Sequence, residues 1–204
     1  MKTIEVELTF TEGILGTCPN DENIYRNFII DKAKANGAEI SEDDEAEEVE
    51  ALPLNEAVEK GMTVFPRTAD GKPYLYDYQI KGFFKDTCSM LKKLPEKKSS
   101  KVKAHKKLID GLIFPFPRQI VFENAEMGIC QRPLRADTMQ GPRVALAMSE
   151  EIAAGAKIRF EVNCLQDSDV DLIREWLDYG KYRGIGQWRN SSKGRFTWEE
   201  IRCY

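Results

Sequence analysis

Residues 3–10 and 157–164 alternate apolar and polar side chains with a strict period of two, and no other feature constrains the fold as strongly. In the first stretch Ile4, Val6, Leu8 and Phe10 take one side, against Glu5, Glu7 and Thr9. In the second, Ile158, Phe160, Val162 and Cys164 oppose Lys157, Arg159, Glu161 and Asn163. Such alternation predicts half-buried strands. Two helices are predicted by a different spacing. Ile80, Phe83, Phe84, Thr87, Cys88 and Leu91 recur with helical period, as an amphipathic helix requires. Val170, Ile173, Trp176 and Leu177 share a face of the second, which the sequence SDVD (168–171) opens in a capping-box pattern and Gly180 closes.

Weaker signals fill the intervals. DENIYRNFIIDKAKANG reads as a helix, with Ile24, Tyr25, Phe28 and Ile29 on one face. MTVFPRTADGKPYLYDYQI reads as a hairpin with Asp70-Gly71 at its tip. The run KKLPEKKSSKVKAHKK (92–107) is polar and lysine-rich, the composition of a flexible loop. IFPFPRQIVF is expected as one strand with its prolines at an edge or entry. Residues 123–142 are expected to be irregular, RVALAMSE a short strand and GRFTWEEIRC the final strand. The order is β-α-β-β-α-β, which predicts an α+β, ferredoxin-like fold. The 204 residues are expected to form one elaborated domain, 1–204, with insertions at about 18–70 and 123–148.

Composition excludes several classes. Five cysteines (Cys18, Cys88, Cys130, Cys164 and Cys203) lie far apart with no C-x-x-C pair, and there is one histidine. Neither a disulfide framework nor a zinc site fits. Cys88 and Cys164 fall on apolar faces and read as reduced core residues, which predicts a cytoplasmic home. MKTIEVELTF lacks the apolar region of a signal peptide, and no apolar run spans a bilayer. No P-loop, GxGxxG, GxSxG or HExxH motif is present, so no cofactor, metal or nucleotide chemistry is expected.

The formal net charge of −4 conceals an asymmetry. Residues 1–70 carry 6 basic and 17 acidic side chains, residues 71–118 carry 12 basic and 4 acidic, and residues 180–196 hold five basic groups and no acid. Local patches, not the sum, govern contact with nucleic acid. The acids of SEDDEAEEVE (41–50), Asp43, Asp44, Glu45, Glu47, Glu48 and Glu50 among them, do not follow an EF-hand spacing and read as a solvated segment.

Three stretches resemble the RAMP superfamily, the backbone subunits of CRISPR effector complexes. SEEIAAGAKIRFEVNCL is similar to its small-residue turn followed by a strand. YQIKGFFKDTCSMLKK is similar to the glycine-containing segment that opens its first helix. DYGKYRGIGQWRNSSKGRF occupies the place of its glycine-rich loop. The likeness is one of motif order over about half the chain. This loop is less glycine-dense than the family's, and no target-cleaving aspartate aligns. The resemblance implies an RRM/RAMP-type fold and RNA as ligand. The whole chain also resembles an uncharacterised family of phages and prophages, which implies a phage gene and no activity.

The loop 180–195 is the leading candidate site. Lys181, Arg183, Arg189, Lys193 and Arg195 can neutralise phosphates, Tyr182 and Trp188 can stack on unpaired bases, and Gly184 and Gly186 permit close backbone approach. The competing reading is a surface loop whose glycines serve turns and whose Trp188 packs on the sheet. Arg132, Arg135 and Arg143 offer planar forks for phosphate; a family insertion that reaches across bound RNA is what the resemblance implies for them, and structural arginines are the alternative. His105, the sole histidine, lies among lysines that lower its pKa.

Three functions compete. The first is a non-enzymatic binder of single-stranded RNA or DNA, with self-association along the strand open. The second is a phage protein-interaction module, an inhibitor mimicking a host RAMP subunit or an assembly component, which the acidic N-terminal third suits. The third is a metal-independent ribonuclease using His105. No membrane contact is expected.

Overall fold

The computed structural model describes residues 1–20, 61–138 and 141–204, with 134–138 and 141–145 as backbone. The helix expected in the 20s and 30s and the acidic run 41–50 lie outside the described residues. The strands are β1 (Lys2–Phe10), β2 (Ile14–Leu15), β3 (Cys18–Pro19), β4 (Thr63–Val64), β5 (Tyr74–Tyr76), β6 (Ile113–Phe116), β7 (Gln119–Glu123), β8 (Met127–Thr138), β9 (Gly141–Ile152), β10 (Lys157–Cys164) and β11 (Phe196–Cys203). The helices are α1 (Asp77–Leu91), α2 (His105–Leu112) and α3 (Asp169–Asp178).

Two compact units divide these residues. Met1–Leu15, Phe65–Gly128 and Glu151–Tyr204 form the first; Gly16–Val64 and Ile129–Glu150 form the second. The first unit is the ferredoxin-like core. β1 lies between β11 and β10, antiparallel to both, and β10 pairs on its far side with β6 and β7. With α1 after β1 and α3 after β10, the β-α-β-β-α-β order runs through a sheet of the matching order.

The period-two alternation explains the burial. Ile4, Val6, Leu8, Phe10, Ile158, Phe160, Val162 and Cys164 are all buried in one cluster with α1 and α3. All six α1 residues singled out by spacing are buried, as are Val170, Ile173, Trp176 and Leu177 of α3. Phe84 meets Trp176 at 5.4 Å between ring centroids, and Phe83 meets Phe196 at 5.2 Å. Cys88 and Cys164 are core thiols; burial pushes Cys164 up to about 12, where it stays protonated.

The opposite sheet face carries charge. Glu7 of β1 accepts from Lys157 at 2.6 Å and from Arg159 at 2.7 Å, and Glu5 pairs with Arg202. The Lys157 and Arg159 bonds hold Glu7 below the usual carboxylate range, and Arg174 does the same for Glu200. Both carboxyls are more acidic folded than unfolded. Their stabilisation is present above the unfolded value of 4.5 and is lost as pH falls through the folded values. The urea midpoint should therefore drop between neutral pH and about pH 3, and Glu7→Gln should flatten that drop.

Several sequence expectations are corrected. The lysine-rich stretch 92–107 is a loop only in part: turns and bends over 92–97 and 102–104 flank a 3-10 turn, Lys98–Lys101, and His105 begins α2. Ser99 ties the turn down, its hydroxyl and amide both donating to Glu175 at 2.6 and 2.9 Å, while the Trp176 indole donates to Ser99 Oγ at 2.9 Å. IFPFPRQIVF is broken into β6 and β7 around a cis Phe116–Pro117 bond. Residues 127–138 and 141–152, expected irregular up to 142, are the long paired strands β8 and β9. The hairpin at Asp70-Gly71 does form, over a short span, with an antiparallel bridge between Arg67 and Pro73 and the Tyr74 N–H donating to Pro66 O at 3.1 Å; its second arm continues into β5, which pairs with β7. Ser168 makes no side-chain cap, because its backbone is already helical. Gly180 lies in a 3-10 turn after α3 rather than stopping it; a Cβ there would sit 2.3 Å from the Phe196 ring.

The second unit pairs β3 with β4, and β4 runs parallel to β9 at Thr63 and Ser149, whose hydroxyls bond at 2.8 Å. It draws on both stretches expected as insertions.

Candidate nucleic-acid interface

The loop from Gly180 to Arg195 links α3 to β11, and backbone hydrogen bonds seat it on the core. Ile185 N–H donates to Gly194 O at 3.0 Å, Gly194 N–H to Gly13 O at 2.9 Å, and Thr11 N–H to Arg195 O at 2.9 Å. A Cβ on Gly184 would lie 2.1 Å from the carbonyl carbon of Gly194, and Gly194 itself has φ +70°. The two glycines let two backbone segments touch. Trp188 and Ser192 also adopt left-handed backbone, at φ 54° and 72°, a conformation that costs non-glycine residues energy and is kept only where surroundings impose it.

The loop's cations are distributed unequally. Arg183 and Arg189 converge on Asp86 of α1, Arg189 at 3.0 Å, and Arg183 also donates to Asn190 Oδ1 at 3.0 Å. Lys193 pairs with Glu151 at the end of β9. Arg195 donates through Nε to the Tyr182 carbonyl at 3.1 Å. The Lys181 ammonium sits 5.1 Å from the Tyr182 ring centroid. Asp86 and Glu151 are two carboxylates set against five cations. Tyr182 is 61% exposed and Trp188 41%.

Arg132, Arg135 and Arg143 belong to the second unit, on β8 and β9. Arg132 is buried. His105 starts α2 and is half-buried; its Nε2 has no hydrogen-bond partner among the described residues. Burial, then Lys92 and Lys106, lowers its pKa from 6.5, so the imidazole is neutral at pH 7.

Two features escaped the sequence reading. Asp86 and Glu151, which orient the loop's cations, carry no local signal, since each acts across about a hundred or about forty residues of chain. Tyr74, Tyr76 and Tyr78, visible in the sequence as alternate positions, form a ladder with ring spacings of 5.0 and 5.1 Å, and the Arg118 guanidinium lies 5.6 Å from Tyr76 and 5.9 Å from Tyr78. The charged face of β1 and β10 presents Glu5, Glu7 and Glu161 where RRM sheets present base-stacking aromatics.

No protein-family model matches the sequence, and no curated protein matches it significantly. Among solved structures, the chain is similar to a chain in the cryo-EM structure of the type III-B Cmr-beta complex bound to cognate target RNA. The TM-score is 0.52 at 13% identity, over 100% of this chain and 60% of that one. The likeness is one of fold: α+β with a ferredoxin-like core. No described helix is long and apolar enough to cross a membrane.

Proposed function

We propose that the chain is a non-enzymatic, RAMP-like binder of single-stranded nucleic acid, with RNA the favoured strand. The observation that carries this reading is the loop: a pinned segment that exposes Tyr182 and Trp188 among five cations. Bases of any sequence have a π-face, so exposed aromatics beside cations hold single strands without reading them. RNA is favoured because the structure of similar fold belongs to a complex bound to target RNA. Arg183, Arg189 and Lys193 keep the loop in place through Asp86 and Glu151, while Lys181 and Arg195 meet the phosphates.

The test is fluorescence anisotropy of labelled single-stranded RNA and DNA across a salt series. Affinity should fall with salt, and Lys181→Ala should reduce the log–log slope by about 0.7. Tyr182→Ala and Trp188→Ala should each weaken binding roughly 5- to 150-fold. His105→Ala should change neither binding nor the integrity of the RNA. Indifference to both strands at low salt overturns the reading; cleavage lost in His105→Ala replaces it with the ribonuclease.

The second reading, a protein-interaction module, is favoured by Ile129 and Leu146, which are 60% and 51% exposed on β8 and β9. Its signature is self-association in sedimentation that Ile129→Ser and Leu146→Ser abolish while strand binding persists.

A further inference from the structure

An open depression of about 740 Å³ lies between the 3-10 turn Lys98–Lys101, α2 and the start of α3. Val102, Leu108, Leu112 and Leu172 give it an apolar lining. Lys101, Lys103 and Lys107 line it as well, all exposed and all without an ion pair among the described residues. Its acids offer little charge in return. Asp169 is only 3% exposed, and Asp171 is engaged by Lys98 at 2.6 Å and Arg174 at 3.1 Å. The charge open to a partner is therefore positive.

These lysines sit on a fixed support. Ser99 ties the turn to α3 through Glu175 and Trp176. Val102 N–H donates to Ser99 O at 3.1 Å, and the Lys92 ammonium donates to Lys103 O at 2.9 Å. A pre-ordered array loses little freedom when a partner docks. Gly111 is an independent observation. It lines the depression in the last turn of α2, exposed, without a left-handed φ and with no atom within 4 Å of where its Cβ would stand. Glycine weakens a helix, and no contact among the described residues requires one here. Its missing side chain leaves room for a second backbone to approach.

We propose that this depression docks an acidic amphipathic segment of a partner protein, with aliphatic side chains entering the apolar lining and Asp or Glu side chains meeting Lys101, Lys103 and Lys107. The lysines select the sign of the partner, and the lining selects its class. Among the described residues no aromatic and no arginine lines the depression. It therefore lacks the stacking rings and planar forks that hold a nucleic-acid strand, and a phosphate backbone would leave its aliphatic surface uncovered. A lipid surface is flat where this one is hollow. An amphipathic helix supplies what fits: apolar side chains at i, i+3 and i+4, flanked by charge. The inference goes beyond the strand-binding reading and does not depend on it, since the loop 180–195 supplies none of these residues.

The experiment is fluorescence anisotropy of a labelled peptide of about four helical turns, with leucines at helical spacing among glutamates, titrated with the full chain. It should bind about 10-fold or more tightly than the same peptide with its leucines changed to serine. The triple variant Lys101→Ala, Lys103→Ala, Lys107→Ala should weaken binding about 10-fold, the sum of three exposed pairs, and should remove most of its salt dependence. Gly111→Gln fills the depression and should weaken binding similarly while melting no lower than wild type, because it replaces a helix glycine. Tyr182→Ala and Trp188→Ala should leave the peptide affinity unchanged. Equal binding of the serine peptide overturns the inference, as does binding unchanged in Gly111→Gln. Single-stranded RNA or phosphatidylglycerol vesicles whose binding falls in Gly111→Gln more than the peptide's would assign the depression to a strand or a membrane, and also overturn it. Peptide binding by a protein indifferent to RNA would discard the loop reading and keep this one.

Discussion

Trp176→Ala is expected to lower stability by about 3–5 kcal/mol, the range for truncating a large buried aromatic. That is a large share of the roughly 5–15 kcal/mol that holds an ordinary domain together. Trp176 is fully buried, packs on Phe84, and donates its indole N–H to Ser99. The substitution therefore removes a core ring and one of the bonds that tie the 3-10 turn to α3. Urea unfolding should show the loss, and amide exchange should show protection falling first over residues 98–112. Trp176→Phe separates the two contributions: it retains most of the volume and forfeits the N–H, for a cost of about 1 kcal/mol from the hydrogen bond. A loss below about 1 kcal/mol in the alanine variant would mean that the core closes over the gap, against the spread seen for buried aromatics.

Gly184→Ala is expected to cost about 1–3 kcal/mol, the penalty of overpacking, and to abolish strand binding. The new methyl would meet the Gly194 carbonyl carbon at 2.1 Å and its oxygen at 2.3 Å, both backbone atoms that cannot rotate away. Relief requires parting Ile185 from Gly194, and with them the stretch that carries Tyr182 and Trp188. Far-ultraviolet circular dichroism should stay near wild type while anisotropy on RNA collapses. Gly71→Ala is the control, an open turn glycine with no atom within 4 Å of its Cβ position, expected to pay only for its positive φ and to bind normally. Normal binding by Gly184→Ala would mean that the loop geometry is irrelevant to the strand.

The core strands and helices were readable because each buries one face, and a one-sided environment writes its period into the residues. Ile4 to Phe10 and Ile158 to Cys164 could face inward only as strands, and Ile80 to Leu91 only as a helix. Where that asymmetry was missing, reading failed. The run 92–107 is anchored through Ser99, a small residue gripped by Glu175 and Trp176 from 76 and 77 positions away, while its lysines announce only solvent. Pro133, Gly141 and Pro142 resemble loop punctuation, yet among the described residues β8 pairs with β9 alone, and an edge strand tolerates the N–H that Pro133 lacks.

The loop's composition, too, was plain, and its geometry was not. Lys181, Tyr182, Arg183, Trp188 and Arg189 are visible as a basic aromatic cluster in any reading of the chain. That Arg183 and Arg189 share one aspartate, and that Gly184 is pressed against Gly194, depends on residues the chain brings together only on folding. Asp169 is the sharpest case. As the second residue of SDVD it is an ordinary helix-opening acid, and only folding buries it, 3% exposed and with one oxygen unsatisfied among the described residues. Local periodicity encodes which side of an element is dry, because burial acts on every residue of that side. Pairing of charges and closure of cavities have no local period, because they arise between residues far apart in sequence, and so they belong to the folded chain alone.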